Sequence, residues 1–153
     1  MTLSEAPGAV KQFRKKAWRF QQTFATPLEN LRAFVSTIVS SQESRGGCLT
    51  IDQVVFKPEH LIHLLGNYSI QPQYAHGTSI TAHTQTEAAE LLEAALGDWI
   101  DFIFSPVPKS IVIFADHDEY TTFFANTRSN LNRVVAALSA QGFKEIRDYQ
   151  RRL

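Results

Sequence analysis

Cysteine is almost absent from this chain, since Cys48 is the only one among 153 residues. A disulfide within the chain is therefore excluded, and a chain of this length can bury a core without one. We predict one domain that spans residues 1–153. The lack of a disulfide framework is compatible with a reducing compartment, so we expect a cytoplasmic protein.

Long apolar runs are also lacking. No stretch approaches the roughly 20 apolar residues that a helix needs to cross a bilayer. The first ten residues contain no apolar run, and basic residues follow where a signal peptide would have its hydrophobic region. We therefore predict neither a membrane span nor a signal peptide.

Net charge is zero, which gives the whole molecule no field that favours nucleic acid or a membrane. The charges are nevertheless segregated along the chain. Residues 1–50 carry a net charge of +4, residues 51–100 carry −5, and residues 101–153 carry +1. Either this asymmetry orients a partner, or the oppositely charged regions face each other in the fold.

The common catalytic and cofactor motifs are missing. The chain has no G-x-S-x-G, no phosphate-binding loop and no G-x-G-x-x-G, so we predict no cofactor. It also has no aromatic string of the type that stacks RNA bases on a sheet, which argues against a nucleic-acid partner. Cys48 opens a predicted strand, and we interpret it as a small buried hydrophobe rather than a nucleophile.

The N-terminal third predicts two helices. Apolar residues from Val10 to Phe24 recur at spacings of three and four, which is typical of an amphipathic helix. Thr26-Pro27-Leu28-Glu29 resembles the start of a second helix, with Thr26 as its cap. We predict that residues 9–43 form an αα-hairpin and that residues 1–8 form a frayed tail.

The remainder predicts an α+β fold. Residues 48–77 are predicted to contain a strand near 48–56, a short helix and a loop. From Thr78 the predicted order is β-α-β-β-α-β, a ferredoxin-like or split βαβ unit over residues 78–153. In that unit an antiparallel sheet carries its helices on one face, and the strand near 48–56 would be an extra one. A generic α+β sandwich is the alternative.

Ionisable groups are densest at Asp116, His117, Asp118 and Glu119, where we predict the junction between a strand and a helix. One interpretation is helix capping, because carboxylates accept hydrogen bonds from free backbone N–H groups at a helix start. The other is a site that binds a partner or a divalent metal. Adjacent residues on a strand point to opposite faces, so Asp116 and His117 could share one ion only across a turn.

Two further sets of residues are candidate sites. His60 and His63 lie three residues apart on a predicted helix and would share one face, which gives a secondary metal-site candidate. The first helix carries a basic face that could contact an acidic partner, anionic lipid or phosphates. Its members are Lys11, Arg14, Lys15, Lys16 and Arg19.

A clear fold pattern without a convergent catalytic set favours a non-catalytic, cytoplasmic protein-binding module. Such a module would be a regulator, an inhibitor or an immunity-type factor, and its partner would be another protein. Two alternatives stay open. The first is a metal-assisted hydrolase that uses Asp116, His117, Asp118 and Glu119. The second is a small-ligand sensor that forms a homodimer.

Overall fold

An eight-stranded antiparallel sheet organises the chain, which is an α+β protein with five α-helices. The computed structural model describes residues 1–153. The strands are β1 (Thr2–Glu5), β2 (Phe20–Ala25), β3 (Gly47–Gln53), β4 (Thr78–Ala82), β5 (Asp101–Pro106), β6 (Val112–Ala115), β7 (Tyr120–Ala125) and β8 (Glu145–Ile146). The helices are α1 (Ala9–Lys15), α2 (Leu31–Ser41), α3 (Glu59–Asn67), α4 (Gln85–Gly97) and α5 (Arg128–Ala140).

The sheet order is β1-β4-β3-β5-β6-β7-β2-β8. Two helical crossovers within it have the same form. The β4-α4-β5 connection passes over β3, and the β7-α5-β8 connection passes over β2. In each case the two joined strands are antiparallel to the strand between them and hence parallel to each other. A helix that joins two parallel strands across one antiparallel strand therefore occurs twice in this sheet, although the predicted ferredoxin-like order as a whole does not.

The two faces of the sheet are covered unequally. Helices α2 to α5 contribute to one large core that includes Phe34, Leu61, Leu91 and Leu138. Helix α1 lies on the other face, where Val10 and Phe13 pack with Phe114 and Phe124 in a separate small core. Helices α4 and α5, which belong to the predicted unit over residues 78–153, both pack into the large core, whereas α1 lies outside that unit and covers the opposite face.

The predicted αα-hairpin over residues 9–43 is also wrong. Helix α1 ends at Lys15, and β2 separates it from α2. Phe20 and Phe24 share a face in either conformation, because a spacing of four matches both a helical turn and two strand repeats. Tertiary pairing of β2 with β7 and β8 decides for the strand. Thr26 caps no helix, because its hydroxyl bonds Thr121 Oγ1 at 2.7 Å instead.

The order from Thr78 onward is β-α-β-β-β-α-β, with β7 as a strand that the predicted ferredoxin-like order lacks. Residues 120–125 are nearly all buried on both faces, so they show no alternation that distinguishes a strand from the start of a helix. Helix α5 begins after β7, where the Thr127 hydroxyl accepts from Asn130 N. The frayed tail predicted for residues 1–8 is likewise replaced in part by β1, which pairs with β4.

Several local predictions agree with the structure. The strand near 48–56 is β3, which lies inside the sheet rather than beside it. The sequence predicts a strand from Thr78 to Ala82, and β4 has those bounds. It also predicts a helix start with Thr84 as its cap, and the Thr84 hydroxyl indeed accepts from Glu87 N at 3.1 Å at the start of α4. Proline at its start and glycine at its end predict a short helix from Pro58 to Gly66, and helix α3 starts and ends within one residue of those bounds.

Candidate functional site

The four-residue cluster from Asp116 to Glu119 forms the turn of the β6-β7 hairpin, so the prediction that it caps a helix is wrong. The Asp116 carboxylate accepts from Asp118 N, and the Asp118 carboxylate accepts from Tyr120 N, both at 3.0 Å. Glu119 has a φ of +75°. These carboxylates satisfy backbone donors of a tight turn, as aspartates commonly do.

Arg151 completes the cluster from the C-terminal end of the chain. Its side chain is buried, and Nη1 donates to Asp116 Oδ2 at 2.6 Å while Nε donates to Thr122 Oγ1 at 3.0 Å. The guanidinium also lies 4.6 Å from the centre of the Phe114 ring. The partial alternation from Phe143 to Arg151 predicts a last strand at the sheet edge and gives no sign of this role, because no local pattern links Arg151 to a residue 35 positions earlier.

The two aspartates of the turn titrate differently. Burial raises the pKa of Asp118 to about 6, and the neighbouring Asp116 adds to the increase although Arg151 opposes it. Burial also acts to raise the pKa of Asp116, but hydrogen bonds from Asp118 and the Arg151 guanidinium outweigh it and lower that pKa below its ordinary value. The pair therefore holds one proton more readily than two isolated carboxylates would near pH 5.

His117 points away from this pair. Its backbone N and ring Nδ1 both contact Asp101 Oδ1, at 3.0 and 2.9 Å. The hydrogen bond to Asp101 raises the pKa of the imidazole. The alternation from Trp99 to Phe104 predicts a strand with Asp101 facing outward, whereas Asp101 is buried and receives these contacts. No three His, Cys, Asp or Glu side chains of the chain are grouped so that they could hold a metal ion.

The other histidines are dispersed. His60 Nδ1 lies 2.6 Å from Asp98 Oδ1, and Asp98 also accepts from the backbone N of His60 and Leu61 at the start of α3. His63 is exposed on the same helix. Nothing brings His60 and His63 together with His117.

The predicted basic helix face is divided between different environments. Arg14 Nη2 pairs with Asp52 Oδ2 at 2.7 Å, and Lys16 Nζ lies 4.4 Å from the centre of the Trp18 ring. Arg19 lies outside the helix, since α1 ends at Lys15. Lys11 and Lys15 are exposed on α1. The five residues therefore do not form one continuous helical surface.

Strand register brings several loops to one end of the sheet. The pairs Glu5–Thr78, Gln53–Asp101, Phe102–Ala115 and Ala25–Tyr120 show that β1, β3, β6 and β2 end where β4, β5 and β7 begin. We call this end the acidic edge, and it comprises the ends of these strands with residues 26–30, 53–59, 68–77 and 116–119. From β4 to β2 it spans five strand spacings, which is roughly 24 Å at about 4.8 Å per strand.

Exposed apolar and acidic side chains coincide at the acidic edge. Four of the six large hydrophobic side chains that are most exposed lie there, and Phe56, at 57%, is the most exposed of all. The other three are Leu28, Val55 and Tyr74. The exposed carboxylates are Glu5, Glu29, Glu59, Asp118 and Glu119. Apolar anchors within a charged rim are typical of protein-binding surfaces.

Comparisons with protein-family models, with curated proteins and with solved structures gave no match. None of the helices has the length and apolar character that a membrane crossing requires.

Proposed function

We propose that this chain is a non-catalytic, cytoplasmic protein-binding module of the regulator, inhibitor or immunity type. Its contact surface is the acidic edge, and its partner is a protein with a basic surface. The observation that carries the proposal is the coincidence of exposed apolar side chains and exposed carboxylates at one end of the sheet.

The carboxylates available for contact differ from those that maintain the fold. Besides Glu5 on the outermost strand β1, three glutamates in the connections after β2, β3 and β6 are exposed and take part in no ion pair within the chain: Glu29, Glu59 and Glu119. Asp116 is already paired with Arg151. A basic partner would therefore meet the three glutamates first, while Asp116 keeps the hairpin turn in shape.

The apolar residues provide the centre of such an interface. Phe56 and Val55 follow β3, and Tyr74 belongs to the loop that precedes β4. Aromatic side chains often supply most of the binding free energy when a partner buries them, and charges around them mainly raise the association rate and the specificity. We assign Phe56 as the apolar anchor and the three glutamates as the steering charges.

The test compares four baits in affinity capture from the native host. These are the unaltered chain, the triple variant Glu29→Gln/Glu59→Gln/Glu119→Gln, the variant Phe56→Ala, and a control with Glu43→Gln/Asp148→Asn. Both control residues are exposed: Glu43 lines a cavity with His83 and Thr84 beyond the far end of β4, and Asp148 lines one with Trp18 and Arg19 before β2. We expect one protein of basic surface to bind the unaltered chain and the control in a fixed stoichiometry, and to be lost from the triple variant or with Phe56→Ala.

Binding should also weaken as salt is raised, because exposed charges are screened within about 10 Å at 0.1 M. A partner that is retained equally by all baits would contradict the acidic edge as the contact surface. A partner that is lost only from the control bait would assign the contact to the other end of the molecule.

A further inference from the structure

A groove lies between α1 and the face of the sheet that α1 covers. Its volume is about 420 Å³, which falls within the range of small-ligand pockets. Phe13, Trp18, Ile103 and Val112 are among its apolar walls. We call it the α1 groove, and it shares no residue with the acidic edge as defined above.

The floor of the α1 groove is polar. Cys48 Sγ lies 2.9 Å from Ser79 Oγ, and Ser79 Oγ lies 3.3 Å from Thr50 Oγ1. Thr50 and Ser79 are 4% and 2% exposed, and these three side chains make no other hydrogen bond. The thiol and the two hydroxyls carry one hydrogen each but make only two contacts among them. At least one donor and several acceptor lone pairs are therefore left unused. A buried polar group with spare capacity favours a polar ligand atom.

The charges around the groove have one sign. Lys16 and Lys109 line it, no carboxylate does, and neither lysine takes part in an ion pair within the chain. Four other cavities, with volumes between about 350 and 820 Å³, are each lined by at least one Asp or Glu. The α1 groove is thus the one among them that complements an anion.

We propose that the α1 groove binds a small organic anion with an apolar body, of the size and chemistry of a medium-chain carboxylate. The anionic group meets Lys16 and Lys109, and the apolar body lies against Phe13, Ile103 and Val112. Contact with Ser79 or Thr50 uses the spare hydrogen-bonding capacity of the floor. This site goes beyond the proposed protein contact, and either proposal can fail without the other.

The experiment uses octanoate as the probe and octanamide as its uncharged counterpart. Trp18 and Trp99 are the only tryptophans, so Trp99→Phe leaves Trp18 as a fluorescent reporter within the groove. Cys48 is the only thiol, so its rate of alkylation by iodoacetamide is a second reporter. We expect octanoate to change Trp18 emission in a saturable manner and to slow alkylation of Cys48 over the same concentration range.

Two sets of variants distinguish recognition of the carboxylate charge from non-specific binding of the alkyl chain. Lys16→Gln and Lys109→Gln should each weaken octanoate binding severalfold, and the double variant at least tenfold. Lys57→Gln, an exposed lysine at the other end of the sheet, should leave the affinity unchanged. Circular dichroism and melting confirm that each variant is folded.

The proposal would be overturned if octanamide bound as tightly as octanoate, because the groove would then recognise the alkyl chain and not the negative charge. It would also be overturned if neither reporter responds to octanoate, or if Lys57→Gln weakens binding as much as the groove variants do. A fluorescence change without protection of Cys48 would place the probe elsewhere and count against the α1 groove.

Discussion

At the scale of single residues, Arg151 joins parts of the chain that are distant in sequence. It connects the C-terminal segment to the β6-β7 turn through Asp116, to β7 through Thr122, and to Phe114 through its planar face. A buried guanidinium with a carboxylate partner is costly to disrupt, because the remaining charge is left without compensation.

Arg151→Met should therefore destabilise the protein by about 3 kcal/mol, since it leaves Asp116 half-buried without its cation. The measurement is the free energy of unfolding in urea. Arg152→Met is the matched control, because Arg152 is exposed, and it should change that free energy by no more than about 0.5 kcal/mol. If both variants lost the same free energy of unfolding, the contacts of Arg151 would contribute no more to stability than those of an exposed arginine.

The raised pKa of Asp118 predicts how the stability of the folded protein changes with pH. Its pKa is raised from the ordinary value of 3.8 to about 6, so the folded state binds this proton more tightly than the unfolded state does. The stabilisation from the protonated form is complete below about pH 3.8 and is lost as pH rises through about 6. Asp116, whose pKa is lowered, contributes in the opposite direction.

Relative to Asp118→Asn, the unaltered protein should accordingly lose stability as pH rises from about 4 to about 6. The measurement is the melting temperature of both proteins across that interval, since Asn can still accept from Tyr120 N. Parallel curves would mean that Asp118 titrates in the folded protein as it does in an unfolded chain.

At the scale of elements, β3 illustrates how packing limits what the sequence may contain. Its first residue is Gly47, and a Cβ placed there would lie only 2.3 Å from Cζ of the Phe104 ring on the adjacent strand β5. Gly66 in α3 has open space around the same position. There is therefore room for a methyl group at Gly66 but none at Gly47.

Gly47→Ala should destabilise the protein by about 1–3 kcal/mol, the usual cost of forcing extra volume into a packed core. Gly66→Ala should stabilise it by about 0.5–1 kcal/mol, because alanine has the higher helix propensity. Thermal and urea unfolding of both variants check the pair. Stabilisation by both substitutions would show that Phe104 moves aside without cost.

At the scale of the whole molecule, the register of the sheet decides which loops meet. The acidic turn, the loop after β3 and the loop before β4 lie along one edge, although up to about 65 residues of chain separate them. The same arrangement sends Asp116 toward Arg151 and His117 toward Asp101. Of the five exposed carboxylates at this edge, only Glu59 belongs to the acidic segment 51–100, so the fold collects the charge of the edge from all three segments of the chain.

The different partners of Asp116 and His117 predict how the folded protein responds to divalent metal ions. Melting with a panel of divalent cations, with and without chelator, should give no saturable shift, because the side chains of the turn are directed to different partners. A bound ion would raise the melting temperature by mass action. A shift that disappears with Asp116→Asn or His117→Asn would favour the metal-assisted hydrolase instead.

The sequence by itself determined the elements whose signals are local. Helix α4 with its Thr84 cap, strand β4 and helix α3 follow from side chains within a few residues of each other. Only the tertiary structure decided between helix and strand at β2 and β7, because a spacing of four or an unbroken buried run satisfies both periods. It alone also brought Arg151 to Asp116 and opened the α1 groove, since both depend on contacts between residues far apart in the chain.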